Sequence, residues 1–227
     1  MAELLVIGAH PDDVEIGMGG AIATFVQQGH EVTLLDLTDG EPTPMGSPER
    51  RRAESEAAAQ VLGARRRITL PLPNRYLLDT VENRVAVAEV LREVRPEILF
   101  IPYGVDAHPD HIAAERLAEA ARFYAKLTKT DMRGDPHYPR RIFHFFCSHY
   151  RLHVAPAFVL DISDQIDRKM DAIACYRSQF NPERGNQGIL DAIRTVAAYW
   201  GTRIRRPYGE PFASKETIGL SGVGELL

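Results

Sequence analysis

Residues 3–15 read Glu3-Leu4-Leu5-Val6-Ile7-Gly8-Ala9-His10-Pro11-Asp12-Asp13-Val14-Glu15, an apolar run closed by glycine that passes into an acidic turn. Such a run reads as a buried strand, and Ile16–Gln28, with alanine and glycine gathered on one face, reads as the helix after it. Strand, glycine and helix at this point invite a dinucleotide-binding reading. A phosphate cradle, however, needs backbone N–H groups that an anion can approach, as in GxGxxG. Here two or three carboxylates stand where a pyrophosphate would lie, and like charge would repel it. Gly17, Gly19 and Gly20 fall inside the helix, where they are expected to let it pack closely on the sheet. Acid and imidazole together favour a cation at this turn.

The pattern repeats outward from that join. Glu31–Thr38 is a second strand. Ser47-Pro48-Glu49 is a helix start, with serine as N-cap and proline in the first turn, and the helix runs to Leu62 and stops at Gly63. Arg67–Leu72 and Glu97–Pro102 are further strands, while Val81–Val94 and Pro109–Leu127 are helices. Residues 128–140 read as a surface loop. Strands near Arg141–Phe146 and Phe158–Ile162 and helices near Asp164–Ser178 and Ile189–Thr202 follow. Alternating strands and helices imply a parallel sheet covered on both faces. The expected fold is therefore α/β, a Rossmann-like three-layer αβα arrangement with a mostly parallel sheet, strand order 3-2-1-4-5 plus C-terminal additions. No linker or repeat divides residues 1–227, so a single domain is expected.

The bulk numbers exclude several classes. The 227 residues are 44% hydrophobic and 26% charged, ordinary for a globular chain, with a net charge of −4. No basic block suggests nucleic acid. No apolar run spans a bilayer, and Leu4–Ile7 is too short for a secretory leader, so a cytoplasmic location is expected. Cys147 and Cys175 form no CxxC pattern and are expected to be buried thiols.

The most informative feature is a near-repetition: His10-Pro11-Asp12-Asp13 and His108-Pro109-Asp110-His111, each after an apolar strand and opening a helix. In the order 3-2-1-4, strands 1 and 4 are neighbours and the chain reverses direction between them, so the two loops flank one crevice. Two imidazoles and a carboxylate meeting there suit a catalytic zinc, with three protein ligands and one open position. Iron, cobalt and manganese accept the same donors. Taken alone, Asp13 or Asp110 is equally an N-cap, and a lone histidine is more often solvated. Two clusters at the two switch-point loops outweigh those readings. His30, His137, His144, His149 and His153 stand alone and are given no role.

With these residues in view, the sequence resembles the LmbE-like (PIG-L) zinc N-deacetylases, enzymes that remove acetyl groups from N-acetylglucosamine-containing substrates. The matching residues are Ala9-His10-Pro11-Asp12-Asp13, Arg51 with Glu54, Leu62-Gly63, and His108-Pro109-Asp110-His111. Tyr176-Arg177-Ser178-Gln179-Phe180 looks like the bacillithiol branch, whose members deacetylate N-acetylglucosaminyl-malate. The resemblance implies His10, Asp13 and His111 as zinc ligands and Asp12 as general base. It implies His108 as oxyanion stabiliser with its ring oriented by Asp110, Arg51 near the substrate, and a C-terminal tyrosine in the site. Tyr199 is the candidate, with Tyr176 and Tyr208 as alternatives. A malate aglycone would call for a basic contact, for which Arg51, Arg75, Arg177 and Arg184 are available. A homo-oligomer, trimeric or hexameric, is also implied. The rival readings are a zinc amidase of another N-acyl amino sugar or thiol conjugate and, in a different class, a non-catalytic metal- or nucleotide-binding module.

Overall fold

The computed structural model describes residues 1–180, 187–220 and 222; Arg184 lies outside them. Among these residues strands and helices alternate in the order β1 (Glu3–Gly8), α1 (Asp13–Gln27), β2 (Glu31–Asp36), α2 (Pro48–Leu62), β3 (Arg66–Thr69), α3 (Val81–Val94), β4 (Ile98–Pro102) and α4 (Pro109–Ala125). Then follow β5 (Arg141–Phe145), β6 (Phe158–Asp161), α5 (Ile166–Ala174), α6 (Gln187–Arg203) and β7 (Gly209–Ala213). The sheet order is β3-β2-β1-β4-β5-β7-β6. The first five strands run parallel, as expected, and β7 runs antiparallel between β5 and β6.

β1 is central, with Val6 opposite Leu34 of β2 on one side and Phe100 of β4 on the other. Successive side chains of a strand point to opposite faces. Leu5 and Ile7 accordingly pack with Leu91 of α3 and Leu117 of α4, while Leu4 and Val6 pack with Ile22 of α1 and Leu62 of α2. Burial on both faces is why the strand sequences are continuously apolar rather than alternating. The start of α2 forms as read: Ser47 Oγ accepts from Arg50 N at 3.2 Å, and Gly63 closes the helix at φ 77°.

Two features depart from the sequence reading. β7 contains glycine and proline, and both residues argue against a strand, so its composition does not announce it. α1 is broken: Met18 has φ −151°. The break frees backbone groups that two buried side chains take up. Glu210 of β7 accepts from Gly20 N and Ala21 N at 3.1 and 2.6 Å, and Lys169 of α5 donates to the Ile16 carbonyl at 2.7 Å while pairing with Glu210. The glycines of α1 do serve close packing. A Cβ on Gly17 would lie 2.3 Å from the Phe145 ring, and one on Gly20 would lie 2.6 Å from Ile162.

No described helix is long and apolar enough to cross a membrane.

Candidate metal centre and active-site cavity

The loops after β1 and β4 lie side by side because their strands do. Each helix that follows starts with a His-Pro-Asp segment, so the two clusters meet. His10, Asp13 and His111 each offer one donor atom, all within 4.8 Å of one another, and all three residues are buried. His10 Nδ1 lies 3.5 Å from Asp13 Oδ2, and His111 Nε2 lies 3.2 Å from Asp13 Oδ1. Donors held about 2.1 Å from a tetrahedral ion stand roughly 3.4 Å apart, so these spacings fit one. The far nitrogen of each imidazole rests on another carboxylate: His10 Nε2 on Asp110 at 3.1 Å, and His111 Nδ1 on Asp106 at 2.6 Å. Such carboxylates fix the tautomer and ring orientation of a ligating histidine. His10 with His108 and Asp110, or His111 with Asp106 and His149, also lie close enough to share an ion. Both alternatives would use nitrogens already engaged by Asp110 and Asp106.

Asp12 has a left-handed backbone, φ 104°. For a residue other than glycine this costs on the order of 1–3 kcal/mol, and such strain gathers at working sites. Arg51 Nη2 binds Asp12 Oδ2 at 2.9 Å, while Oδ1 accepts from no described residue. His108 is the N-cap of α4, and its Nδ1 accepts from Asp110 N at 3.2 Å. The proton of a neutral His108 ring therefore sits on Nε2.

The charges are strongly coupled. Burial opposes charge on His10, but hydrogen bonds to Asp110 and Asp13 prevail and lift it to about 10. His111 goes up to about 9 in the same way, against burial and with Asp13 as the main cause. Burial pushes Asp12 up to about 7, with Arg51 opposing and Asp13 adding to the rise. Burial would raise Asp13 too, but His111 and His10 hold it well below the usual carboxylate range. Burial, with His10 and His111 alongside, lowers His108. Carboxylates thus surround these imidazoles with a demand for positive charge, and a cation entering among them displaces protons.

A cavity of about 760 Å³ opens over this floor and reaches to α6 and β7. A family model described as PIG-L, GlcNAc-PI de-N-acetylase, matches residues 5–122, which include both His-Pro-Asp loops. The chain belongs to the PIG-L family. A diacetylchitobiose deacetylase of Thermococcus kodakarensis is 31% identical over 92% of this chain and 81% of its own length. Among solved structures, a conserved protein from Thermus thermophilus superposes with a TM-score of 0.89, is 38% identical and is covered over 97% of both chains. The N,N'-diacetylchitobiose deacetylase of Pyrococcus horikoshii superposes with a TM-score of 0.81 at 29% identity, over 93% of this chain and 83% of that one.

Within this PIG-L chain several expected contacts differ. The Asp110 carboxylate does not meet the His108 ring. It binds His10 and accepts from Arg75 N and Leu77 N at 2.6 and 3.2 Å, because the chain direction at the start of α4 turns it toward the loop after β3. Arg51, expected near the substrate, lines the cavity and pairs with Asp12, and Glu54 takes Arg50 and Ser178. Tyr199 is 48% exposed and does not line the cavity; on α6 it is the next residue, Trp200, that does. Tyr176 is fully buried and donates to Glu15 at 3.0 Å, and Tyr208 packs against Ile162. Arg177 is exposed away from the cavity, whereas Arg75 lines it.

Three residues given no role by the sequence lie at the site. Asp106 binds His111, and His149 Nδ1 lies 3.1 Å from the same carboxylate. Cys147 lines the cavity with Sγ 3.7 Å from Asp13 Oδ1, and burial beside Asp13 pushes its thiol well above the ordinary range. Asp106, five residues before His111, was readable as a further acid of that loop. His149 and Cys147 were not, since they come from the loop after β5 and carry no motif.

Proposed function

We propose that this protein is a zinc-dependent hydrolase that removes the acetyl group from N-acetylglucosamine-containing small molecules. The observation that carries this reading is the His10–Asp13–His111 donor triad at the floor of a cavity that also exposes Asp12 and His108. The deacetylase names of the relatives support the same reaction. Nitrogen and carboxylate donors suit zinc, and ferrous iron is the main competitor.

His10, Asp13 and His111 would hold the ion. Bound there, a divalent ion lowers the pKa of a water and polarises the amide carbonyl. Asp12 Oδ1 takes the proton of the attacking water, with Arg51 steadying the other oxygen. Negative charge grows on the carbonyl oxygen, and His108 Nε2–H donates to it. The neutral tautomer set by Asp110 N suffices for this role. The proton on Asp12 passes to the departing nitrogen as the C–N bond breaks, leaving acetate and a free amino sugar. Arg51 acts through Asp12, and Tyr199 takes no part.

A malate aglycone would need a basic contact in the cavity. Of the cavity arginines and lysine among the described residues, Lys169 is engaged by Glu210 and Arg51 by Asp12, although Arg51 Nε and Nη1 have no hydrogen-bond partner, while the Arg75 side chain meets no carboxylate and donates from Nη2 to the Pro42 carbonyl. For assembly as a trimer or hexamer, the exposed Tyr76, Leu78 and Val81 offer apolar surface of the kind that interfaces use.

Metal analysis of the purified protein combined with acetate release from N-acetylglucosamine glycosides tests the reading. Asp12→Asn is expected to keep the metal and lose acetate release by about 10²-fold or more, in the range usual for a general base. Asp13→Asn is expected to lose the metal. Equal metal loss in both variants overturns the assignment, and nucleotide affinity without hydrolysis would favour the binding-module reading.

A further inference from the structure

The cavity has two chemically different halves. Its floor is imidazole and carboxylate. One wall is the apolar stripe Ile189, Ile193, Val196 and Trp200 of α6, at spacings of four, three and four residues, with Phe146 and Phe180 beside it. Eleven residues of helix at 1.5 Å per residue give that stripe a length of about 16 Å. Ile189 and Val196 are 47% and 55% exposed and Ile193 and Trp200 are half-buried, so the described chain leaves the wall partly uncovered although it lines the same cavity as the catalytic floor. The helix keeps its charges off this wall: Arg194, for one, is turned to Asp167 at 2.7 Å.

We propose that the α6 wall is an aglycone subsite and that the preferred substrates are N-acetylglucosaminides bearing an extended apolar aglycone, alkyl or aryl. This rests on the deacetylase reading above and narrows its substrate class. With the N-acetyl group on the floor, the rest of the substrate must leave along the cavity, and this wall offers it aliphatic carbon and an indole. The hydroxyls of a second sugar or the carboxylates of malate would give up water there without gaining partners on the stripe. An alkyl or aryl group loses none, and its burial is favourable in proportion to its area.

The test is kcat/KM for acetate release from methyl, octyl and phenyl N-acetylglucosaminides, N,N'-diacetylchitobiose and the malyl glycoside. The octyl compound is expected to exceed the methyl compound at least about tenfold, since even partial burial of its added methylenes accumulates. Val196→Asp sits at an exposed position that tolerates charge, and it is expected to bring the octyl-to-methyl ratio close to one, whereas Val196→Leu keeps the ratio high. Equal kcat/KM across the aglycones, or a preference for chitobiose or malate, overturns the proposal. So does an oligomer, detected by light scattering, that Val196→Asp dissociates while the ratio stays unchanged, since a second copy would then own the stripe. Acetate release from none of the compounds would instead sink the deacetylase reading, and the subsite with it.

Discussion

Asp110 shows how one side chain's direction changes the chemistry assigned to it. Two residues from His108, it invites the role of orienting that ring, yet its carboxylate lies 3.1 Å from His10 Nε2 and is further held by two backbone N–H groups. It therefore acts on a proposed metal ligand. Asp110→Asn is expected to weaken metal binding about 10- to 100-fold, the usual loss when such a partner is removed. Competition against a chelator measures this. Unchanged affinity with reduced turnover would return Asp110 to His108. Asp12 and Asp13 make the complementary point: adjacent carboxylates are separated in role because the left-handed backbone of Asp12 turns it to Arg51 and the open cavity.

At the scale of elements, the broken α1 matters most. Its second half begins with free N–H groups, and Glu210 receives two of them while Lys169 neutralises the glutamate. A buried ion pair adds little net stability when compared with apolar packing, but removing one partner strands the other. Glu210→Ala is expected to cost about 3–5 kcal/mol, with loss of the helix cap included. A urea denaturation midpoint shifted by less than the equivalent of about 1 kcal/mol would refute that account. The Tyr176–Phe180 segment belongs to the same scale. Tyr176 binds Glu15, Ser178 binds Glu54, and Gln179 donates to Thr43 at 3.2 Å, so the described contacts of this motif hold a segment over α1 and α2. Glu15 also meets Arg67, which binds Asp36 through both Nε and Nη2, and the network ties α1 to β2 and β3.

For the whole molecule, distant parts of the chain are tied at the far side of the sheet from α1. Glu119 of α4 lies 3.0 Å from His144 Nε2 of β5 and 2.8 Å from Lys215 Nζ beyond β7. His144, with Lys215 in support, lowers the Glu119 pKa below its ordinary 4.5. A carboxylate lowered on folding contributes stability that is present above its unfolded value and lost as pH falls through its folded one. Glu119→Gln is therefore expected to be less stable than the unchanged protein at about pH 7, with the gap closing in the acid range below 4.5. Urea denaturation of both proteins across that range measures it, and a gap that is constant with pH would contradict the assignment.

Much of this was legible in the chain itself. Continuous apolar strands, alternation with helices, the Ser47 cap and the paired His-Pro-Asp loops are local signals, and the parallel strand order follows from the handedness and shortness of connections. These signals are enough to bring His10, Asp13 and His111 to one crevice. What needed the tertiary structure was everything set by direction or by long-range contact. β7 is a strand because β5 and β6 flank it, not because of its composition. The break in α1 exists because Glu210 and Lys169 satisfy it. Asp110 reaches His10, Tyr199 points outward, and His149 joins the site from a loop without a motif. Local free energies favour a helix or a strand residue by residue, but which way a side chain faces, and what it meets there, is decided only when elements far apart in sequence pack against one another.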